Sequence, residues 1–242
     1  MENNTGPDEL YQQYDYHYTV GACVGTNKSS APTAGKTWRH VVDPVNTDFY
    51  EERPVKADAA FTTVMSWQAH DPIEFNGRTF GQKDVEFEKF MDLPGLTDVP
   101  LEIAVAGKNT PMERLQQSGW RIEDAHQISL TFDRFNEYIL NSRGEFSVCK
   151  NVFVDTTSGF FSERSAVYLA CGRPVVMQDT GFSSFLPCGQ GLFAVRTPEE
   201  AADALKTIKG DFENHSKWAR EIATEYLEAH KVLLKFLGEI GI

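Results

Sequence analysis

The chain has 242 residues, 41% hydrophobic, 24% charged and 12% aromatic, with a formal net charge of −12. That length suits one domain of ordinary size, or one plus a fragment, and the composition is too apolar and too aromatic for a disordered chain. No run approaches the ~20 apolar residues that cross a bilayer, and 35 acidic against 23 basic residues exclude a general polyanion-binding surface.

No nucleic-acid partner is therefore expected, although a small basic pocket for a phosphate is still allowed. Met1–Asp8 holds neither a basic nor an apolar stretch, so no secretory signal is read and a cytoplasmic location is expected. Cys23, Cys149, Cys171 and Cys188 are far apart in sequence and form no C-x-x-C, which reads as reduced thiols, without a disulfide frame or a metal site.

Residues 1–60 carry two short strand-like runs, Tyr16–Val20 and Trp38–Val42, separated by turn-formers at Ser29–Gly35. From Phe61 onward apolar strands alternate with capped helices. Phe61–Ser66 reads as a strand. Lys83–Asp92 places Phe87, Phe90 and Met91 on one helical face ahead of Pro94. Leu101–Ala106 is a buried-strand run, and Thr110-Pro-Met-Glu113 has the residues of a capping box with proline at the first helical position. A helix is expected over Thr131–Arg143, with Phe132, Phe135, Tyr138 and Ile139 inward and Gly144 as a left-handed stop.

Phe146–Cys149 and Val152–Val154 follow as one interrupted strand or two short ones. Ser162 opens a helix that runs to Cys171 and ends on Gly172. Pro174–Gln178 and Leu192–Val195 are strands, Thr197-Pro-Glu-Glu200 repeats the cap chemistry, and the rest is helical with a break at Gly210. Strand–helix alternation with short connections predicts an α/β doubly wound, Rossmann-like parallel sheet. Ligands of such sheets sit at the carboxyl ends of the strands. The search therefore goes to the loops after Ser66, Ala106, Val154 and Gln178.

Two nucleotide-binding look-alikes fail on context. Ser30–Thr37 resembles a P-loop, but Ser30 stands where the first glycine is required and a strand-like run follows where a helix is needed. Gly189–Ala194 fits a dinucleotide-binding string, yet it leads into a strand instead of joining a strand to a helix. That removes a nicotinamide-cofactor oxidoreductase, and no cofactor is expected.

The informative stretch is Thr156–Phe182. A Ser/Gly loop feeds a helix whose free amides and dipole favour an anion. Arg164 in the first turn opposes that dipole unless its planar donor fork serves a negative group. On these residues alone, an anion site and a plain N-cap with a solvent-facing arginine both stay open.

The helix ending Leu-Ala-Cys-Gly-Arg-Pro-Val-Val176, followed by Gln-Asp-Thr-Gly-Phe182, resembles the C-terminal nucleotide-sugar-binding domain of GT-B glycosyltransferases. The likeness is to a bacterial group of these enzymes. It extends to Thr62–Trp67, Gly81–Glu88, Gly119-Trp120, Ser142–Val148, Ala219–Tyr226, Thr19–Gly21 and Thr33–Arg39.

The resemblance implies glycosyl transfer from a nucleotide-diphosphate sugar, without a metal, to an acceptor it does not specify. It implies that the donor diphosphate lies on the helix starting near Ser162, which makes Ser158, Gly159, Phe160, Ser162, Glu163, Arg164 and Ser165 donor-site candidates. Asp179, Thr180, Gly181 and Phe182 would close over the sugar. Ser66, Trp67, Gly107 and Lys108 would line the opposite wall, and Lys150 would add charge to the diphosphate. Core packing is the competing role for Trp67.

The chain departs from the GT-B pattern in two ways. The Glu-x7-Glu places of many retaining members hold Gly159 and Val167 here, so no ribose ligand and no stereochemical outcome are assigned. Residues 1–60 are too few for a second doubly wound sheet and resemble the end of an acceptor domain plus a linker. No catalytic residue is assigned, and the acceptor half is left to a homodimer or a partner chain. The rival reading is a catalytically incomplete nucleotide-binding or partner-binding module derived from such an enzyme.

Overall fold

The computed structural model describes residues 11–242, so the reading of Met1–Asp8 lies outside the described residues. Two short strands, β1 (His17–Thr19) and β2 (Trp38–His40), pair in parallel ahead of the main sheet. The main sheet is built from β3 (Phe61–Ser66), β6 (Leu101–Ala106), β7 (Arg121–Asp124), β8 (Gly144–Ser147), β9 (Val175–Gln178) and β10 (Leu192–Val195). A surface hairpin of β4 (Ile73–Phe75) and β5 (Arg78–Phe80) follows β3. The helices are α1 (Lys83–Phe87), α2 (Met112–Gln117), α3 (Ala125–Ile128), α4 (Phe132–Asn141), α5 (Asn151–Asp155), α6 (Glu163–Ala170), α7 (Pro198–Gly210), α8 (Phe212–Ile222) and α9 (Ala229–Ile240).

The sheet runs β10-β9-β8-β3-β6-β7 with every pairing parallel. The chain winds outward from β3 through β6 to β7, then returns to the other side for β8, β9 and β10. The order therefore reverses between β3 and β8, which is the doubly wound arrangement and its switch point. Period-2 alternation sorts side chains to the two faces. On β9, Val176 packs with Phe87, Phe90, Trp120 and Phe146, whereas Val175 and Met177 pack with Phe161, Tyr168, Phe182 and Leu192. With both faces covered by helices, even the polar residues of the central strands, Thr62, Thr63, Glu145 and Ser147, are buried.

Several local expectations change in the structure. Gly144 starts β8 instead of ending a helix in the left-handed region. A Cβ there would come within 2.5 Å of the Phe61 ring, so glycine is what lets β8 lie against β3. Val152–Val154 is helical within α5, and β8 ends at Ser147. Helix α2 begins at Met112 after Pro111 without a side-chain cap, because the Thr110 hydroxyl donates instead to the Gly107 carbonyl at 3.2 Å. Phe132, at the start of α4, is 57% exposed while Ile139 is fully buried. The final helical region breaks after Gly210 as expected, then passes through a π-turn at Ala223–Leu227 and breaks again before α9. No described helix is long and apolar enough to cross a membrane.

The segment before β3 packs against the sheet's site end. Cys23 N donates to the Ser158 carbonyl at 3.0 Å, and Ser30 N donates to the Thr156 carbonyl at 3.0 Å. Gly21 and Phe160 form an antiparallel bridge, and Val45 N donates to the Leu227 carbonyl at 2.9 Å.

Candidate functional site

A cavity of about 560 Å³ opens at the carboxyl ends of β3, β6 and β8, at the switch point. Its floor is Val64–Ser66 and Ser147–Lys150. One wall is the start of α6 at Ser162–Arg164. The opposite side carries Lys83 of α1, with Ala125, His126 and Ser129 of the α3 turn at the far end.

The start of α6 offers unpaired donors for a geometric reason. The first amides of any helix have no intrahelical acceptor, and the side chain of the N-cap residue Ser162 makes no cap hydrogen bond. These N–H groups therefore border the cavity without being plugged by their own cap residue.

Arg164 is held by the protein. Its Nε donates to Glu145 Oε1 at 2.6 Å, Nη1 to the Val64 carbonyl at 2.8 Å and Nη2 to Ser147 Oγ at 2.6 Å. Glu145 is completely buried and the Arg164 side chain is 13% exposed. The guanidinium thus ties the first turn of α6 to β3 and β8. Three nitrogens each spend one N–H on the protein, leaving two of the five. The solvent-facing arginine considered from sequence is not what forms.

Lys83 is in the opposite condition. It lines the same cavity but makes no hydrogen bond or ion pair with any described residue. Burial, then the neighbouring Arg164 guanidinium, pushes its pKa down to about 7, against the smaller opposing pull of Cys149, Glu145 and Glu163. Lys150 lines the cavity too, likewise without a partner. Beneath them Cys149 is inert, its thiol pushed up to about 12 by burial. A network centred on the fully buried Glu86 accepts from Asn151, Lys89 and Gln178, and so fixes α1 against α5 and the end of β9.

The structure brings together Ser66, Lys150, Phe160, Ser162, Glu163 and Arg164 around this cavity. Phe160 stacks on Phe153 with ring centroids 4.5 Å apart, making an aromatic edge. Other candidates lie elsewhere. Trp67 is 3% exposed and packs on Phe87 at 5.4 Å, in the core. Ser165 is completely buried, with its hydroxyl on the Met177 sulfur. Lys108 lines a separate polar cleft with Gln68, His70 and Asp71, and Gly107 turns tightly over Gln68 with φ +110°.

The loop after β9 turns away from the cavity. Asp179 pairs with Arg196 at 2.7 Å and accepts from Gly181 N at 2.8 Å, Thr180 donates to the Phe160 carbonyl, and Phe182 is buried in the core. Ser158 and Gly159 back this loop, where Gly159 N donates to the Thr180 carbonyl at 2.7 Å and a Gly159 Cβ would stand 2.6 Å from Cys23 N.

Sequence reasoning missed Lys83, His126, Ser129 and Ser147. Lys83 carried a readable signal, since a lysine that opens a helix after a strand–loop unit sits at the ligand end of a doubly wound sheet.

No family profile matches the chain, and no curated protein matches it. Solved structures do. TarM superposes with a TM-score of 0.58 at 12% identity, covering 86% of this chain and 40% of TarM. HepE from Anabaena, solved in complex with UDP and glucose, gives 0.57 at 12% identity, over 86% of this chain and 58% of HepE. AviGT4, a glycosyltransferase involved in avilamycin A biosynthesis, gives 0.57 at 12%, over 87% of this chain and 61% of its own. The chain thus spans roughly two-fifths to three-fifths of these proteins' lengths. All are GT-B glycosyltransferases, and the chain has the corresponding α/β fold.

Proposed function

We propose that this chain binds the diphosphate of a nucleotide sugar in the cleft between the ends of β3 and β8, and takes part in transferring the sugar to an acceptor without a metal. The observation that carries this is one cavity at the switch point that is bordered by the uncapped amides of α6 and by two unpartnered lysines, Lys83 and Lys150. The fold shared with GT-B glycosyltransferases, one of them solved with UDP and glucose, supports the same reading.

In the transfer, the bond from the anomeric carbon to the β-phosphate oxygen breaks and a bond to the acceptor nucleophile forms. The nucleophile loses its proton, and the diphosphate leaves with additional negative charge. Donors already aimed at that charge lower the barrier because they need no reorganisation during the reaction. Lys83, Lys150 and the α6 amides fill that role. Arg164 acts as the brace that fixes where those amides point. His126 and Ser129, at the far end of the cavity, are placed to meet the nucleoside.

The test is thermal unfolding of the full chain with UDP, GDP, ADP and their glucose conjugates, followed by a product assay with any ligand that stabilises it. A bound ligand at 100 times its Kd adds about 2.7 kcal/mol of stability. A rise in Tm with at least one diphosphate is expected. No rise with any of them contradicts the proposal, and binding without turnover would reduce the chain to a nucleotide-binding module.

A further inference from the structure

Lys83 carries an amine that pairs with no described residue. Arg164 faces it from α6, already committed to Glu145, Val64 and Ser147 and unable to give up its proton. Glu163 faces it from the same helix, and Glu145 and Cys149 from β8 and the loop after it. His126 and Lys150 line the same cavity from α3 and from the end of β8. On its own helix, Asp84 accepts from Gln68 at 2.6 Å, and Glu86 is taken by Lys89, Asn151 and Gln178. Among the described residues no carboxylate forms an ion pair with the Lys83 amine, Glu163 included although it has no other partner, and the empty cleft holds the amine beside a fixed positive charge.

We propose that Lys83 determines the charge class of ligand this cleft accepts: its amine, unpaired in the empty cleft and facing the fixed charge of Arg164, takes up one proton from solvent when a diphosphate enters. This rests on the reading of the cleft as a nucleotide-diphosphate site. The proton goes from water or buffer to Nζ, and the new ammonium supplies the counter-charge that Arg164, spent on Glu145, does not. A ligand with one phosphate brings less negative charge and draws the proton less strongly, so the coupling separates diphosphates from monophosphates.

The experiment is calorimetric titration of the full chain with UDP and with UMP between pH 7 and 9, in two buffers of different ionisation enthalpy. In that range a phosphate is past its second ionisation, near pH 6, so the ligand's own titration contributes little. Starting from a pKa of about 7 in the empty cleft, UDP affinity should fall about 50-fold from pH 7 to 9, with proton uptake approaching one per UDP. UMP should show a shallower slope.

Lys83→Arg, whose side chain stays charged throughout, should bind UDP with a flat pH profile and no uptake. Lys83→Met should bind weakly with no uptake. UDP binding by the wild-type chain without proton uptake, or an unchanged slope in Lys83→Arg, would overturn the coupling while leaving the cleft as a nucleotide site. Absence of UDP binding at every pH would overturn the reading of the cleft, and the coupling with it.

Discussion

The two walls of the cleft handle positive charge in opposite ways. On the α6 wall, Arg164 is bound on three sides, and its partner Glu145 has no solvent at all. On the α1 wall, Lys83 is half-hidden and has no acceptor. A cation answered by the protein serves the fold, and one left unanswered is available to a ligand. Burying a charge without a partner is costly, so such a lysine is tolerated where a ligand supplies the missing charge or where the amine sheds its proton.

The largest way to break this contrast is on the braced wall. Glu145→Ala leaves the Arg164 guanidinium buried without its carboxylate and should cost about 3–5 kcal/mol of stability, measured by urea unfolding. A loss within experimental error would mean that Arg164 is not held by this pair. Next is the loop behind the same wall. Gly159 has φ +75° and a Cβ would press on Cys23 N, so Gly159→Ala should cost about 1–3 kcal/mol, and wild-type stability in this variant would remove the N-terminal segment as the loop's support.

On the open wall, Lys83→Met should weaken UDP binding by about 1.5–3 kcal/mol, the range for a lost charge-assisted hydrogen bond. Its stability signature runs the other way. The folded pKa lies below the unfolded value, so between about pH 7 and 10 the unfolded chain binds more protons and wild-type stability should rise with pH. Lys83→Met should lack that rise, and matching pH profiles of unfolding would show that Lys83 keeps its proton when folded. The smallest expected effect is Ser162→Ala. Its hydroxyl makes no cap bond, so stability should change by less than about 0.5 kcal/mol, and a larger loss would reveal a capping role.

Much of the sheet was legible because its strands are buried on both faces. Phe61–Ser66, Leu101–Ala106 and Leu192–Val195 stand at the same residues in both readings, since short runs rich in apolar and β-branched residues between turn-formers leave little choice. The edge strand β7 was not legible. Arg121, Glu123 and Asp124 are exposed and polar, and only pairing with β6 makes them a strand. Gly144 was misread because glycine ends helices and also permits close strand contact, and only the Phe61 ring decides between the two.

For the site, sequence pointed to the first turn of α6, and the open cavity lies beside it. The partner of Arg164 could not be foreseen, because Glu145 sits in a strand 19 positions earlier and nothing local announces a buried carboxylate there. The loop after β9 was assigned to the sugar side, yet its side chains face Arg196 and the core. Which way a Gly-bearing loop turns is set by tertiary packing.

The contrast between the walls comes down to a single titration: UDP into the wild-type chain and into Lys83→Met at pH 7, followed by calorimetry. Saturable binding by the wild-type chain, weakened at least tenfold in the variant, is the expected result (about 1.4 kcal/mol). Equal affinities in the two proteins, or no heat of binding in the wild-type chain, would contradict a cleft whose open wall is kept for a diphosphate.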